Sequence, residues 1–175
     1  DTVRSFLSYS LPEGVENLHL IGLPLQAIGN NLNNLLTGGM SLEGLGGDDT
    51  LIGLGRLAGG MGHDVLQGGS GTMYISLEDG LLHVLANTYV FAPSNGQDTI
   101  LENDPIFNSA YYQNEDTLSF ANGISSSDVA WERQGNDLLL TINEGTDRIT
   151  IPSYYDLLFD RGGYVVNGLT LPPQV

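Results

Sequence analysis

Four residues able to bind a hard cation recur at a fixed step: Asn34, Asp49, Asp64 and Asp79 are each fifteen apart. A leucine follows each by two positions, at Leu36, Leu51, Leu66 and Leu81, and glycine clusters precede them: Gly29, Gly44 with Gly46 and Gly47, and Gly59, Gly60 and Gly62. A glycine turn, an acidic residue and one apolar residue, repeated at constant spacing, form the pattern of a structural repeat that stacks on itself. Stacking would bring the acidic residues into one row. A row of carboxylates repels itself unless a cation is held among them, and calcium, which prefers oxygen ligands, is the ion this chemistry points to.

The composition agrees. The 175 residues contain 21 Asp plus Glu against 5 Lys plus Arg, a formal charge of −16. Nucleic acid is excluded as a natural partner, because phosphate binding needs clustered Lys and Arg, and docking on anionic membrane surfaces is disfavoured for the same reason. Such a charge opposes a compact state unless cations offset it. Hydrophobic residues make up 41% of the chain, which argues against general disorder. There are no cysteines, so disulfide and thiol chemistry are excluded. No run approaches the roughly 18 apolar residues of a membrane span. The first residue is Asp1, and the chain reads as a piece of a longer polypeptide.

Three regions are expected. Residues 1–28 carry two strand-like runs, Val3 to Tyr9 and Val15 to Ile21, and form an N-terminal β cap. Residues 29–91 hold the glycine-rich repeats. Residues 92–175 hold fewer glycines and most of the aromatics, and read as an antiparallel β cap. There Val129–Arg133 and Leu138–Ile142 flank a turn, and Asp147–Ile151 alternates polar and apolar residues. Asn167-Gly168 between Tyr164–Val166 and Leu169–Leu171 marks a tight hairpin. Only Ser125–Asp128 suggests a helical turn. The fold class is all-β.

The segment Gly59-Gly60-Met61-Gly62-His63-Asp64-Val65-Leu66-Gln67 fits G-G-x-G-x-D-x-U-x at every specified position. In this the chain resembles the RTX (repeats-in-toxin) family, whose nonapeptide binds calcium. Gly44 to Ile52 is a weaker copy with Leu45 at the second glycine position, Gly29 to Thr37 is a degenerate opening copy, and Gly68 to Ser76 has Met73 where the aspartate belongs. Asn87 to Phe91, Asn95 to Ile100, Asp116 to Phe120 and Gly135 to Leu138 are similar to the β-rich segment that commonly follows RTX repeats, and Asn17 to Gly22 to the lead-in before them.

The resemblance implies a short parallel β-roll or β-solenoid with flanking β caps. It implies Ca²⁺ held by Asp49 and Asp64 together with the backbone carbonyls of the glycine turns, with Gly44, Gly46, Gly59, Gly60 and Gly62 in the metal site and Asn34 and Asp79 as outer ligands. It implies a non-catalytic module, folding on calcium after type I secretion from a Gram-negative cell. Its partners would be calcium ions, the secretion machinery and the rest of the parent polypeptide. A monomer, secreted or at the cell surface and without membrane insertion, is expected. A regular roll uses about eighteen residues per coil, two nonapeptides. The step of fifteen therefore implies that one edge keeps full turns and binds metal, while the other, near Gly38-Gly39 and Gly53-Leu54-Gly55, is cut short and binds none.

Other constellations are weaker. His19, His63 and His83 have no spacing to Cys or Glu that suits zinc. Gly69-Ser70-Gly71 is not a nucleophile elbow, and Gly44 to Gly47 lacks the Lys-Ser/Thr of a phosphate loop. Tyr111, Tyr112, Tyr154 and Tyr155 could form a sugar platform, which would make the chain an adhesion or carbohydrate-binding module. Glu102, Asn103, Asp104, Glu115 and Asp116 could form a further calcium site. A third alternative is an accessory domain of a secreted hydrolase.

Overall fold

A computed structural model describes residues 1–22, 25–69, 74–75, 82–83, 86–102, 112–113, 116–121, 123–155, 165–166 and 169–170. The described residues are all-β apart from two single-turn 3₁₀ segments, Ser126–Asp128 and Asn143–Gly145, the first where the serine run anticipates a helical turn. No described helix is long and apolar enough to cross a membrane.

The chain alternates between two sheets. Strand β1 (Thr2–Ser5) lies in the first and β2 (Tyr9–Ser10) in the second; β3 (Asn17–Leu20) and β4 (Gln26–Ile28), β5 (Leu35–Thr37) and β6 (Ser41–Gly46), and β7 (Thr50–Gly53) and β8 (Arg56–Met61) repeat that order. After β9 (Val65–Gly68) of the first sheet come β10 (Tyr74–Ile75) and β11 (Leu82–His83) of a small separate sheet, then β12 (Thr88–Phe91) of the second and β13 (Gln97–Glu102) of the first. Next are β14 (Tyr112–Gln113) of the small sheet and β15 (Thr117–Phe120) of the second. The end is β16 (Val129–Gln134), β17 (Asp137–Ile142) and β18 (Asp147–Ile151) in the first sheet, and β19 (Val165–Val166) and β20 (Leu169–Thr170) in the second.

Successive strands of each sheet run parallel. In the first sheet Leu35 pairs with Thr50 and Thr50 with Val65, and in the second Ser41 pairs with Arg56, each step fifteen. One circuit is longer: Asn17 pairs with Leu35 and Tyr9 with Ala27, a step of eighteen. Of the expected leucines, Leu36, Leu51 and Leu66 stack, and Leu81 lies outside the described residues. Leu18, Leu36, Leu51, Leu66 and Ile100 are direct partners along the first sheet, all buried. A second row faces them: Ala27, Leu42, Leu57, Tyr89 and Leu118 are partners along the second sheet and equally buried. Period-two alternation puts one side chain in and the next out, so each strand of three or four residues supplies one or two inward residues.

Several expectations change. The run Val3 to Tyr9 is not one strand, because a circuit of this length must leave the first sheet and enter the second within it; the exposed Phe6 and Leu7 make that crossing. Residues 1–28 join the same two parallel sheets as the repeats, with β3 on β5 and β4 on β6, so residue 28 marks no break in them. Parallel pairing also continues past residue 92, as β13 on β9 and β18 on β13, and as β15 on β12 and β19 on β15. Among the described residues of 92–175 the antiparallel pairs are β16–β17, β17–β18 and β19–β20. The last joins the strands flanking Asn167-Gly168, a dipeptide that lies outside the described residues.

Candidate metal centre

The turns at one edge carry the chain from the second sheet back to the first. Asp49 precedes Thr50, which faces out, and Leu51, which faces in; the alternation therefore turns Asp49 inward. The same holds for Asp64 before β9. Both are 1% exposed, and Asn34 and Asp98 are also buried. These four form a ladder along the stack. Asp49 Oδ1 accepts the N–H of Asn34 at 2.7 Å, Asp64 Oδ1 accepts the N–H of Asp49 at 2.8 Å, and Asp98 Oδ1 accepts the N–H of Asp64 at 3.0 Å. Asn34 Oδ1 closes the start by accepting the N–H of Asn30 at 2.7 Å. One residue earlier, a second ladder runs the opposite way: the N–H of Asp48 donates to Asn33 Oδ1, that of His63 to Asp48 Oδ1, and that of Gln97 to His63 Nδ1.

The inner ladder uses one oxygen of each carboxylate. The other oxygen, Oδ2 of Asp49 and of Asp64, is buried without a hydrogen-bond partner. Both press on glycine: a Cβ on Gly44 would overlap Asp49 Oδ2 and the carbonyl of Gly59, and a Cβ on Gly59 would overlap Asp64 Oδ2. The glycines are therefore required by close approach. Burial pushes the Asp49 carboxyl up to about 7, against the pull of the Asn34 N–H and with further push from Asp64 and Asp48. Burial likewise raises Asp64 to about 6 and Asp98 to about 8, each opposed by the backbone N–H it accepts. A buried carboxylate without a partner is costly, and two relieving agents exist: a proton or a cation.

Of the residues expected to bind metal, Asn34, Asp49 and Asp64 share this row on one edge. Gly44 and Gly59 lie against the carboxylates. Gly60 and Gly62 take φ of 111° and 137° and pack on the carbonyls of Leu45 and Gly47. Leu45, where the motif asks for glycine, adopts φ 83°. Gly46 stands apart, since a Cβ there would meet only ordinary contacts. Asp79 lies outside the described residues, and the row passes from Asp64 to Asp98 instead. Asp98 went unrecognised because its distance from Asp64 is not fifteen. The local signal was Asp-Thr followed by an apolar residue, common to Asp49-Thr50-Leu51 and Asp98-Thr99-Ile100.

At the opposite edge residues 38–40 and 54–55 join the strands, against 47–49 and 62–64 at the carboxylate edge, so the two edges differ little in length. Further along, the N–H of Gly55 donates to Asn87 Oδ1 at 3.1 Å and the N–H of Asn87 to Asp116 Oδ1 at 2.6 Å, so a ladder begins there too. Of the proposed extra site, Asn103, Asp104 and Glu115 lie outside the described residues. Tyr154 and Tyr155 are buried, edge to face at 5.0 Å with Arg133 over the Tyr155 ring, which removes them from any exposed sugar platform. Tyr111 lies outside the described residues.

Among the described residues no three His, Asp or Glu side chains converge on one point. A cation in this row would be held mainly by backbone carbonyls, with one carboxylate from each circuit. That all-oxygen donor set, with two unpartnered buried oxygens, fits a hard cation of the calcium type. The chain matches no model of a known protein family.

Proposed function

We propose that the chain is a non-catalytic calcium-binding module of the RTX type, a short parallel β-roll within a larger secreted bacterial protein. The observation that carries this reading is the pair of buried, unpartnered oxygens, Asp49 Oδ2 and Asp64 Oδ2, in consecutive glycine turns on one edge. Calcium supplies the charge that these carboxylates lack. The residues do the rest: the inner ladder holds each carboxylate in place, Gly44 and Gly59 leave room for it, and the stacked leucines fix the spacing of the turns.

Ion binding to the folded state alone stabilises that state by mass action. Calcium is scarce inside cells and about millimolar outside, in the range at which extracellular sites of this kind bind. The module would pass a type I export channel loosely folded and set on arrival, as a monomer beside its parent polypeptide. Calorimetric titration tests the reading. Wild-type protein should take up Ca²⁺ with a dissociation constant of about 10⁻⁴–10⁻³ M or tighter, and the Asp49→Asn/Asp64→Asn double variant should bind less. Equal binding by the two proteins contradicts it.

A further inference from the structure

We propose that the side-chain amides of Asn30 and Asn95 take the place of a cation in the two gaps that flank the Asp49 and Asp64 turns, so that the row of carbonyls from Pro12 to Gly60 holds cations only in the two gaps between them. The inference rests on the calcium reading above. The carbonyls of Pro12, Asn30, Leu45 and Gly60 lie in one row: steps of eighteen on both sides of the first turn set Pro12 beside Asn30, steps of fifteen set Asn30 beside Leu45, and Leu45 pairs directly with Gly60. At both ends of this row the carbonyl is capped by an asparagine from the following turn.

Asn30 Nδ2 donates to the carbonyls of Pro12 and Val15, both at 2.8 Å, while its Oδ1 accepts the N–H of Leu32 and Asn34 Nδ2. All the hydrogen-bonding capacity of that amide is used. Asn95 Nδ2 donates to the carbonyl of Gly60, and its Oδ1 accepts the N–H of Ala92. Both asparagines are buried. Between them the equivalent positions offer no donor. Leu45 is exposed and apolar, and Gly60 has no side chain. The unpartnered carboxylate oxygens belong to the two turns in between, at Asp49 and Asp64, while Asp98, whose turn carries the Asn95 amide, leaves none of this kind. An amide NH₂ presents partial positive charge to carbonyl oxygens and settles them without an ion. A buried carboxylate oxygen needs a full charge.

Equilibrium dialysis against millimolar Ca²⁺ counts the ions. Wild type should hold two more than the Asp49→Asn/Asp64→Asn variant. Asn95→Ala, which reopens the gap between Asp64 and Asp98, should hold one more than wild type, as should Asn95→Asp. A difference other than two, or an unchanged count in both Asn95 variants, overturns the amide inference and leaves calcium binding standing. No difference between wild type and the double variant overturns the calcium reading and this inference together.

Discussion

The side chains of Asp49 and Asp64 have two separable jobs, one for each oxygen. Oδ1 satisfies a buried N–H of the preceding turn, and Oδ2, which has no hydrogen-bond partner, is the oxygen proposed to meet a cation. Substitutions can divide them. Asp64→Asn keeps an acceptor for the Asp49 N–H, as Asn34 already does in the same row, whereas Asp64→Ala orphans that N–H. In chelator at about pH 5, where the raised carboxyls are protonated and the metal-free fold is at its more stable end, the Ala variant should be less stable than the Asn variant by about 1–3 kcal/mol, the cost of an unmet buried donor, as measured by denaturant unfolding. In calcium both should lose the ion's contribution. Equal stability of the two variants in chelator would mean that the ladder bond has no weight. Leu45 offers a second test. It holds a left-handed backbone at φ 83° with its side chain exposed, where the complete motif has glycine. Such strain costs of order 1–3 kcal/mol, against about 0.5–1 kcal/mol for the extra freedom of glycine in the unfolded chain. Leu45→Gly should therefore raise stability by about 1 kcal/mol, and a loss would refute the strain.

At the scale of elements, short strands contribute through rows. Leu51 and Leu66 are fully buried direct partners, so truncating either opens a cavity inside the stack, and Leu51→Ala or Leu66→Ala should cost about 2–5 kcal/mol, read as a lowered unfolding midpoint. Leu57→Ala in the facing row should cost as much. That facing row was legible too: Ala27, Leu42 and Leu57 keep the same step of fifteen, but no acidic residue marks them. Asn34, Asp49 and Asp64 were readable as one row because the two circuits that separate them have equal length. Asp98 was not, since the segment between β9 and β13 breaks the period while the backbone register survives it, Val65 pairing with Thr99. Asn30 and Asn95 were hidden for another reason: their role lies in reaching a carbonyl of the turn before, which no spacing in one turn announces.

For the whole molecule, the charge of −16 and the buried carboxylates make stability depend on pH in a direction that calcium should reverse. Burial sets the folded-state pKa values of Asp49, Asp64 and Asp98 at about 7, 6 and 8, above the ordinary 3.8. Between those limits the folded protein binds more protons than the unfolded chain, so without metal its stability should fall as pH rises from about 5 to 8, by roughly 1.4 kcal/mol per pH unit for each proton lost. With calcium the ionised carboxylates are the bound form, and the fall should flatten or invert. Thermal unfolding across that range, in chelator and in Ca²⁺, reads both slopes, and identical slopes would remove the metal from the row. The most direct measurement is the far-UV circular dichroism of the wild-type chain in chelator and in millimolar Ca²⁺ at pH 8. A β-sheet spectrum that is weak or lost in chelator and restored by calcium in wild type, but not restored further in Asp49→Asn/Asp64→Asn, is the expected result. A wild-type spectrum equally β in both conditions, with unfolding unchanged by calcium, would contradict the calcium-driven fold.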